Sequence, residues 1–261
     1  MIEEAHNQGL NAAADRYPYL RTSTGLAAYF PAHLRAKGAE SLARRLEAPE
    51  VRNQLKDFFQ DDEIWERIFV AEAFSDEFQT REGQSIARIA EQRGQPRLDT
   101  AIEILRESEG RASVTCLAMN DQDTDLILAH PLVAIGSDSA VRASYGPLAG
   151  GVPHPRGYGT CPRILGEYVR ERRLIPLGEA VRKMTSLPAG ILGLERRGRL
   201  EPGYYADVVV FDPLTVRDEA TYETPHCYPK GIEYVIVNGQ VVIDEGRHTG
   251  VCPGAVLECK G

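Results

Sequence analysis

At 261 residues, 43% hydrophobic and 26% charged, the chain has the composition of an ordinary soluble globular protein, long enough for one large domain or two small ones. Its 38 acidic against 30 basic residues leave a net charge of -8, which opposes binding to a phosphate backbone and predicts no nucleic-acid partner. No apolar run reaches the roughly 20 residues of a membrane helix, and MIEEAHNQG lacks the basic and apolar regions of a signal peptide, so no membrane association and a cytoplasmic location are expected.

In chain order, the opening reads as a helix over Ile2 to Asn7, a stop at Gly9 and a strand running into Tyr17, Pro18 and Tyr19. Helix formers dominate residues 27–111: SLARRLEAPEVRNQLKDFF, then EGQSIARIAEQRG, then LDTAIEILRESEG. Ile86, Ile89 and Ala90 keep a three-to-four spacing, as do Ile102 and Leu105, and Gly94 supplies a C-terminal stop. This stretch predicts a helical insertion. Strand character returns at ASVTCLA (112–118), Asn120 is placed to cap a helix reaching Ala129, and Leu132 to Asp138 reads as the next strand. Alternation of strand and helix at this spacing predicts a parallel sheet with helices outside.

The loop YGPLAGGVPHPRGYGTCP then leads toward helices near 164–173 and 177–185. Beyond it, Ala206 to Phe211 reads as a strand and IEYVIVNGQVVIDEG as a hairpin on Asn238-Gly239, a small β unit beside the α/β part.

The segment HPLVAIGSDSAV raises a chemical question, because a buried strand finishes on an acid. The carboxyl edge of a parallel sheet is where reacting groups gather, so Asp138 suits chemistry there. An Asx turn or a helix cap is the structural alternative. His6, His33, His130, His154, His226 and His248 are scattered singly without ligand spacing and are expected in loops or at the surface. Cys116, Cys161, Cys227, Cys252 and Cys259 include no C-x-x-C pair, which predicts reduced thiols.

AIGSDS, followed by HPRGYGTCPRILGEYVRE and SLPAGILGLERRGRLEPGYYADVVVFDP, resembles the carboxyl-terminal half of the N-acyl-D-amino-acid deacylases (D-aminoacylases) of the amidohydrolase superfamily. ADRYPY with Ser23 shortly after, and EGQSIARIAEQRG, fit the same family in the same order. The resemblance implies an α/β fold, a (β/α)8 TIM-type barrel of which only the last strands are present, with a helical insertion and part of a small β-sandwich. On it, residues 1–26 are a barrel segment, 27–111 the insertion, 112–195 the last barrel strands and helices, and 196–261 the carboxyl-terminal part of the β domain.

The family's chemistry is zinc-dependent hydrolysis of the amide of small-molecule N-acyl-D-amino acids. Asp138 matches the acid at the end of the last barrel strand, which takes a proton from water, passes it to the leaving nitrogen and is also a possible metal ligand. Arg156 matches the arginine that grips the substrate carboxylate, and Tyr17 and Ser23 match positions that contact substrate. Their structural alternatives are a solvated loop arginine and a packing or turn role at a strand end.

Two departures stand out. Ser139 occupies a position where the family usually has Gly, and the loop from Asp138 to Arg156 is longer than usual. The family's His-x-His pair and later histidines have no counterpart here, so the zinc ligands are expected to be mostly absent. The chain is accordingly expected to be a carboxyl-terminal portion, inactive alone, that pairs with a missing amino-terminal half or self-associates. The competing readings are a non-catalytic remnant or interaction module, a dihydroorotase- or hydantoinase-like cyclic amidohydrolase, and, without a G-x-S-x-G elbow to support it, a serine hydrolase.

Overall fold

The computed structural model of the protein describes every residue except Met1, Asn11, Glu47 and 258–261, so Cys259 lies outside the described residues. In chain order the strands are β1 (Ala14–Arg16), β2 (Arg21–Gly25), β3 (Ile68–Glu72), β4 (Ser113–Leu117), β5 (Val133–Ile135), β6 (Val208–Phe211), β7 (Ile232–Val237), β8 (Gln240–Asp244) and β9 (Arg247–His248). They form a parallel pair β1-β5, an antiparallel sheet β2-β4-β3 and an antiparallel meander β6-β7-β8-β9. The architecture is therefore mixed α/β. No helix among the described residues is long and apolar enough to cross a membrane.

Local signals set many of the boundaries. The opening helix spans Ile2–Asn7 and Gly9 follows it at φ +77°. Ser85 caps the helix Ile86–Arg93 by accepting from the Arg88 N–H, and Gly94 ends it in the left-handed region, its N–H bonded to the carbonyls of Ala90 and Glu91. Asn120 caps Asp121–Ala129 by accepting from the Asp123 N–H at 2.8 Å. Asn238 and Gly239, at φ +48° and +80°, close the β7-β8 hairpin in the geometry that matches strand twist.

The larger core packs helices of the stretch 27–111 against a sheet of its own. Trp65, Phe30, Leu42, Ile86, Ile89, Ile102 and Leu105 are buried there together with Ile68, Val70 and Val114 of the strands. Each such aliphatic or aromatic side chain contributes roughly 1.5–3 kcal/mol relative to exposure. Two expectations are corrected here. IFVAE, read as part of a helical run, is β3, and ASVTCLA contributes β4 to an antiparallel sheet between β2 and β3 rather than to the parallel one. Helices fold back between these strands, so the chain returns antiparallel without the crossover a parallel neighbour requires.

A second core, with Leu128, Ile135, Ile164 and Tyr168, covers β5. The helix expected to begin near Ile164 begins instead at Arg156 and runs to Arg163 with Pro162 inside it. Pro162 has no N–H to give, and the helix widens into a π segment over Ile164–Glu171, where the Arg172 N–H bonds the Glu167 carbonyl at 2.8 Å. That helical start, followed by a wide turn, places Arg156 beside the end of β5.

Candidate active site at the end of the parallel strands

β1 and β5 pair in register, Ala14 with Val133 and Arg16 with Ile135, and the Gly136 N–H extends the ladder to the Arg16 carbonyl at 3.3 Å. The chain leaves the sheet at Gly136. A Cβ there would lie 2.2 Å from an Asp15 carboxylate oxygen, so glycine is what lets the Asp15 side chain lie against the strand end. Asp138 follows at φ +47°, a left-handed conformation that Asp tolerates better than most residues. Its side chain is 70% exposed.

Arg156 opens the helix Arg156–Arg163, and its side chain is only 8% exposed. One guanidinium nitrogen, Nη2, lies 2.9 Å from Asp138 Oδ2, while Nη1 is buried with no hydrogen-bond partner. The guanidinium stands 4.6 Å over the Tyr17 ring, and that ring also takes the Arg16 guanidinium at 4.9 Å. Asp138, Arg156 and Tyr17, far apart in sequence, are thus brought together. Ser23 is not joined to them: it sits on β2 opposite Thr115, and no hydrogen bond or ion pair links it to the other three.

The longer loop between Asp138 and Arg156 is tied down on several sides. Arg142 forks onto Glu72 at 2.8 and 3.2 Å, and the Val152 N–H bonds the Ala71 carbonyl at 2.7 Å. Tyr158 donates to the Ala143 carbonyl at 2.8 Å, and His226 Nε2 lies 2.9 Å from the Gly151 carbonyl. Through these contacts the loop is registered against β3 on one side and the carboxyl-terminal segment on the other.

His154 corrects the expectation of scattered surface histidines. It is 4% exposed and meets the rings of Tyr17, Tyr19 and Tyr222 edge-on, with centroids 5.7, 5.2 and 5.2 Å away. Burial, with smaller contributions from the Arg156 and Arg21 charges, pushes its pKa down to about 3. Tyr19 is held in turn by a 2.6 Å hydrogen bond to Asp218, a carboxylate 6% exposed. Burial and that carboxylate push the Tyr19 hydroxyl well above the ordinary tyrosine range. Asp218 lies against Gly159, where a Cβ would come within 1.9 Å of its oxygen. Sequence reasoning passed over His154, Tyr19 and Asp218 because their partners lie on other elements. The one available signal for His154 was its place between Pro153 and Pro155.

A pH effect follows from His154. In the unfolded chain its imidazole takes a proton near pH 6.5, but in the fold only near 3, so the unfolded state binds more protons between those values. Stability is therefore full above about pH 6.5 and is lost as the pH falls through that window. His154→Asn should remove a difference on the order of 2 kcal/mol between the unfolding free energies at pH 7 and pH 5. Denaturant unfolding at both pH values checks this, and equal pH sensitivity in both proteins would contradict it.

Residues 8–243 match the amidohydrolase family. The chain belongs to that family. Over 175 residues it is 41% identical to a D-aminoacylase of Alcaligenes xylosoxydans xylosoxydans, covering 67% of this chain and 34% of that protein. Over 256 residues it is 34% identical to an N-acyl-D-glutamate deacylase of the same organism, covering 98% of this chain and 43% of that one. A solved D-aminoacylase superposes with a TM-score of 0.71 at 34% identity over 96% of this chain and 43% of its own. The N-acyl-D-glutamate deacylase of Bordetella bronchiseptica, solved with zinc and a phosphonate inhibitor, gives 0.69 at 33% identity over 95% of this chain and 44% of its own. The amidohydrolase chain here thus spans less than half the length of these relatives.

Zinc is bound in that solved N-acyl-D-glutamate deacylase, and the residues here do not fit it. Among the described residues no three His, Cys, Asp or Glu side chains gather as a metal site. His154 uses both ring nitrogens, Nδ1 on the Arg156 N–H and Nε2 on the Arg21 carbonyl. A histidine so engaged has no lone pair left for a metal.

Proposed function

We propose that this chain carries the proton-transfer acid and the carboxylate grip of a metal-dependent amidohydrolase that hydrolyses the amide of N-acyl-D-amino acids. On this reading β1 and β5 are the last strands of a (β/α)8 barrel, 27–111 is an insertion, and β6–β9 belong to a small β-sandwich. The amino-terminal portion of the relatives, which this chain does not match, would supply the remaining barrel strands and the zinc ligands, with Asp138 the one candidate ligand from this side.

The observation that carries the reading is Arg156, buried with one nitrogen on Asp138 and another with no partner. A buried guanidinium nitrogen without an acceptor is costly, and a substrate carboxylate placed there satisfies it. Asp138 lies on the open side of that pair. There it accepts a proton from the attacking water as the oxygen bonds to the acyl carbon. It then gives the proton to the amide nitrogen as the C–N bond breaks, releasing a carboxylic acid and a D-amino acid. Tyr17 supports the guanidinium with its ring, and the Tyr17 and Ser23 hydroxyls are assigned to substrate oxygens.

Arg156→Lys should raise KM for N-acyl-D-amino acids roughly tenfold or more, because a charge remains but the fork that holds Asp138 with one nitrogen and offers the other to the substrate is lost. Amides lacking the carboxylate should react almost unchanged. Steady-state kinetics on both substrate types, in the enzyme completed with an amino-terminal half, decides the matter. Equal losses on the two would assign Arg156 a structural role instead.

A further inference from the structure

His154 holds the start of the Arg156–Arg163 helix without reaching the open face of the site. The Arg156 N–H stands at the first turn, where no helical carbonyl is available, and Pro155 before it offers no side-chain cap. His154 Nδ1 accepts that N–H at 3.0 Å, and its Nε2 lies 3.0 Å from the Arg21 carbonyl at the start of β2. These partners fix one tautomer: Nδ1 faces a donor and carries no hydrogen, while Nε2 faces an acceptor and carries one. Three tyrosine rings from β1's exit and from the carboxyl-terminal segment hem in the imidazole in T-shaped contacts.

From this geometry we infer that His154 is a positioning residue for substrate binding, registering the Arg156 backbone against β2 so that the guanidinium stands over Tyr17 and beside Asp138. The inference rests on the reading of Arg156 as the carboxylate grip. The Arg156 guanidinium has two anchors on the substrate side, Asp138 and the Tyr17 ring, and neither fixes its backbone. His154 does. No carboxylate faces it to favour a second proton: Arg21 and Arg156 are cations, and Tyr17, Tyr19 and Tyr222 meet it in T-shaped ring contacts. A neutral imidazole is the form that makes both hydrogen bonds at once.

Two measurements test the role. In the 261-residue chain, ¹⁵N NMR near pH 7 should show His154 neutral, protonated at Nε2 and hydrogen-bonded at Nδ1; a proton on Nδ1 or a mixture of tautomers would overturn the inference. In the enzyme completed with an amino-terminal half, kinetics with N-acetyl-D-glutamate compare two variants. His154→Asn keeps an acceptor close to the Nδ1 position, whereas His154→Gln moves its polar end beyond it. His154→Gln should raise KM by up to about 10²-fold with kcat little changed, since small displacements of a positioning group have effects of that size. His154→Asn should raise it far less. Equal rises in the two variants, or a loss confined to kcat, would count against positioning. Arg156→Lys, assayed beside them, separates the two claims. An unchanged KM there removes the carboxylate reading and this inference together, while a raised KM there with none in His154→Gln removes the positioning role alone. Should neither His154 variant fold, the tautomer of the unmodified chain still decides.

Discussion

Asp138→Asn should lower kcat for N-acyl-D-amino acid hydrolysis by roughly 10² to 10⁴ while leaving KM close to its original value. The substitution isolates the proton acceptor. Asn keeps the size of Asp, accepts the left-handed backbone that Asp138 adopts at φ +47°, and retains an oxygen to meet Arg156 Nη2. What it lacks is a carboxylate that can take a proton from water and return it to the leaving nitrogen. Alanine would be a poorer choice, because it adds backbone strain at that φ and removes the partner of Arg156 in one step. Near-normal turnover by the Asn variant would end the assignment of Asp138 as the acid.

The 261-residue chain alone should hold no stoichiometric zinc and release no acyl group, and supplying the amino-terminal half of a deacylase should restore both together. A hydrolytic zinc site needs about three protein ligands in fixed geometry, and no such group gathers among the described residues. The same half should also improve solution behaviour. Among the described residues β1 and β5 pair only with each other, and β6 is an edge strand with Val209 and Val210 exposed, so backbone and apolar side chains are left open to association. Metal analysis, D-specific acyl release and sedimentation, each with and without the added half, measure the effect. Stoichiometric zinc with chelator-sensitive turnover from the chain alone would show that it needs no partner.

The sequence by itself determined what depends on neighbours a few residues away. Gly94 marks the end of one helix and Asn120 the start of another, while Asn238-Gly239 fixes a hairpin, because caps and turns are satisfied by backbone groups within about four residues. The acid at the end of β5 was legible for a similar reason, since an apolar run followed by Gly136, Ser137 and Asp138 shows where the chain leaves a sheet. Asp138, Arg156 and Tyr17 could be named through the family resemblance of the motifs that carry them, although nothing in the motifs says that they touch.

Only the tertiary structure decided their meeting, and it decided the strand pairings too. A short apolar run such as IFVA, within IFVAE, reads alike in a helix and in β3, and its pairing with Ser113–Leu117 joins residues more than forty positions apart. His154 shows the limit most plainly. Its burial and the hydrogen bond that puts the proton on Nε2 come from Arg21, Tyr19 and Tyr222, residues brought to it from β2, the exit of β1 and the carboxyl-terminal segment. No local pattern around a single histidine encodes that, because burial and hydrogen-bond partners are properties of long-range packing.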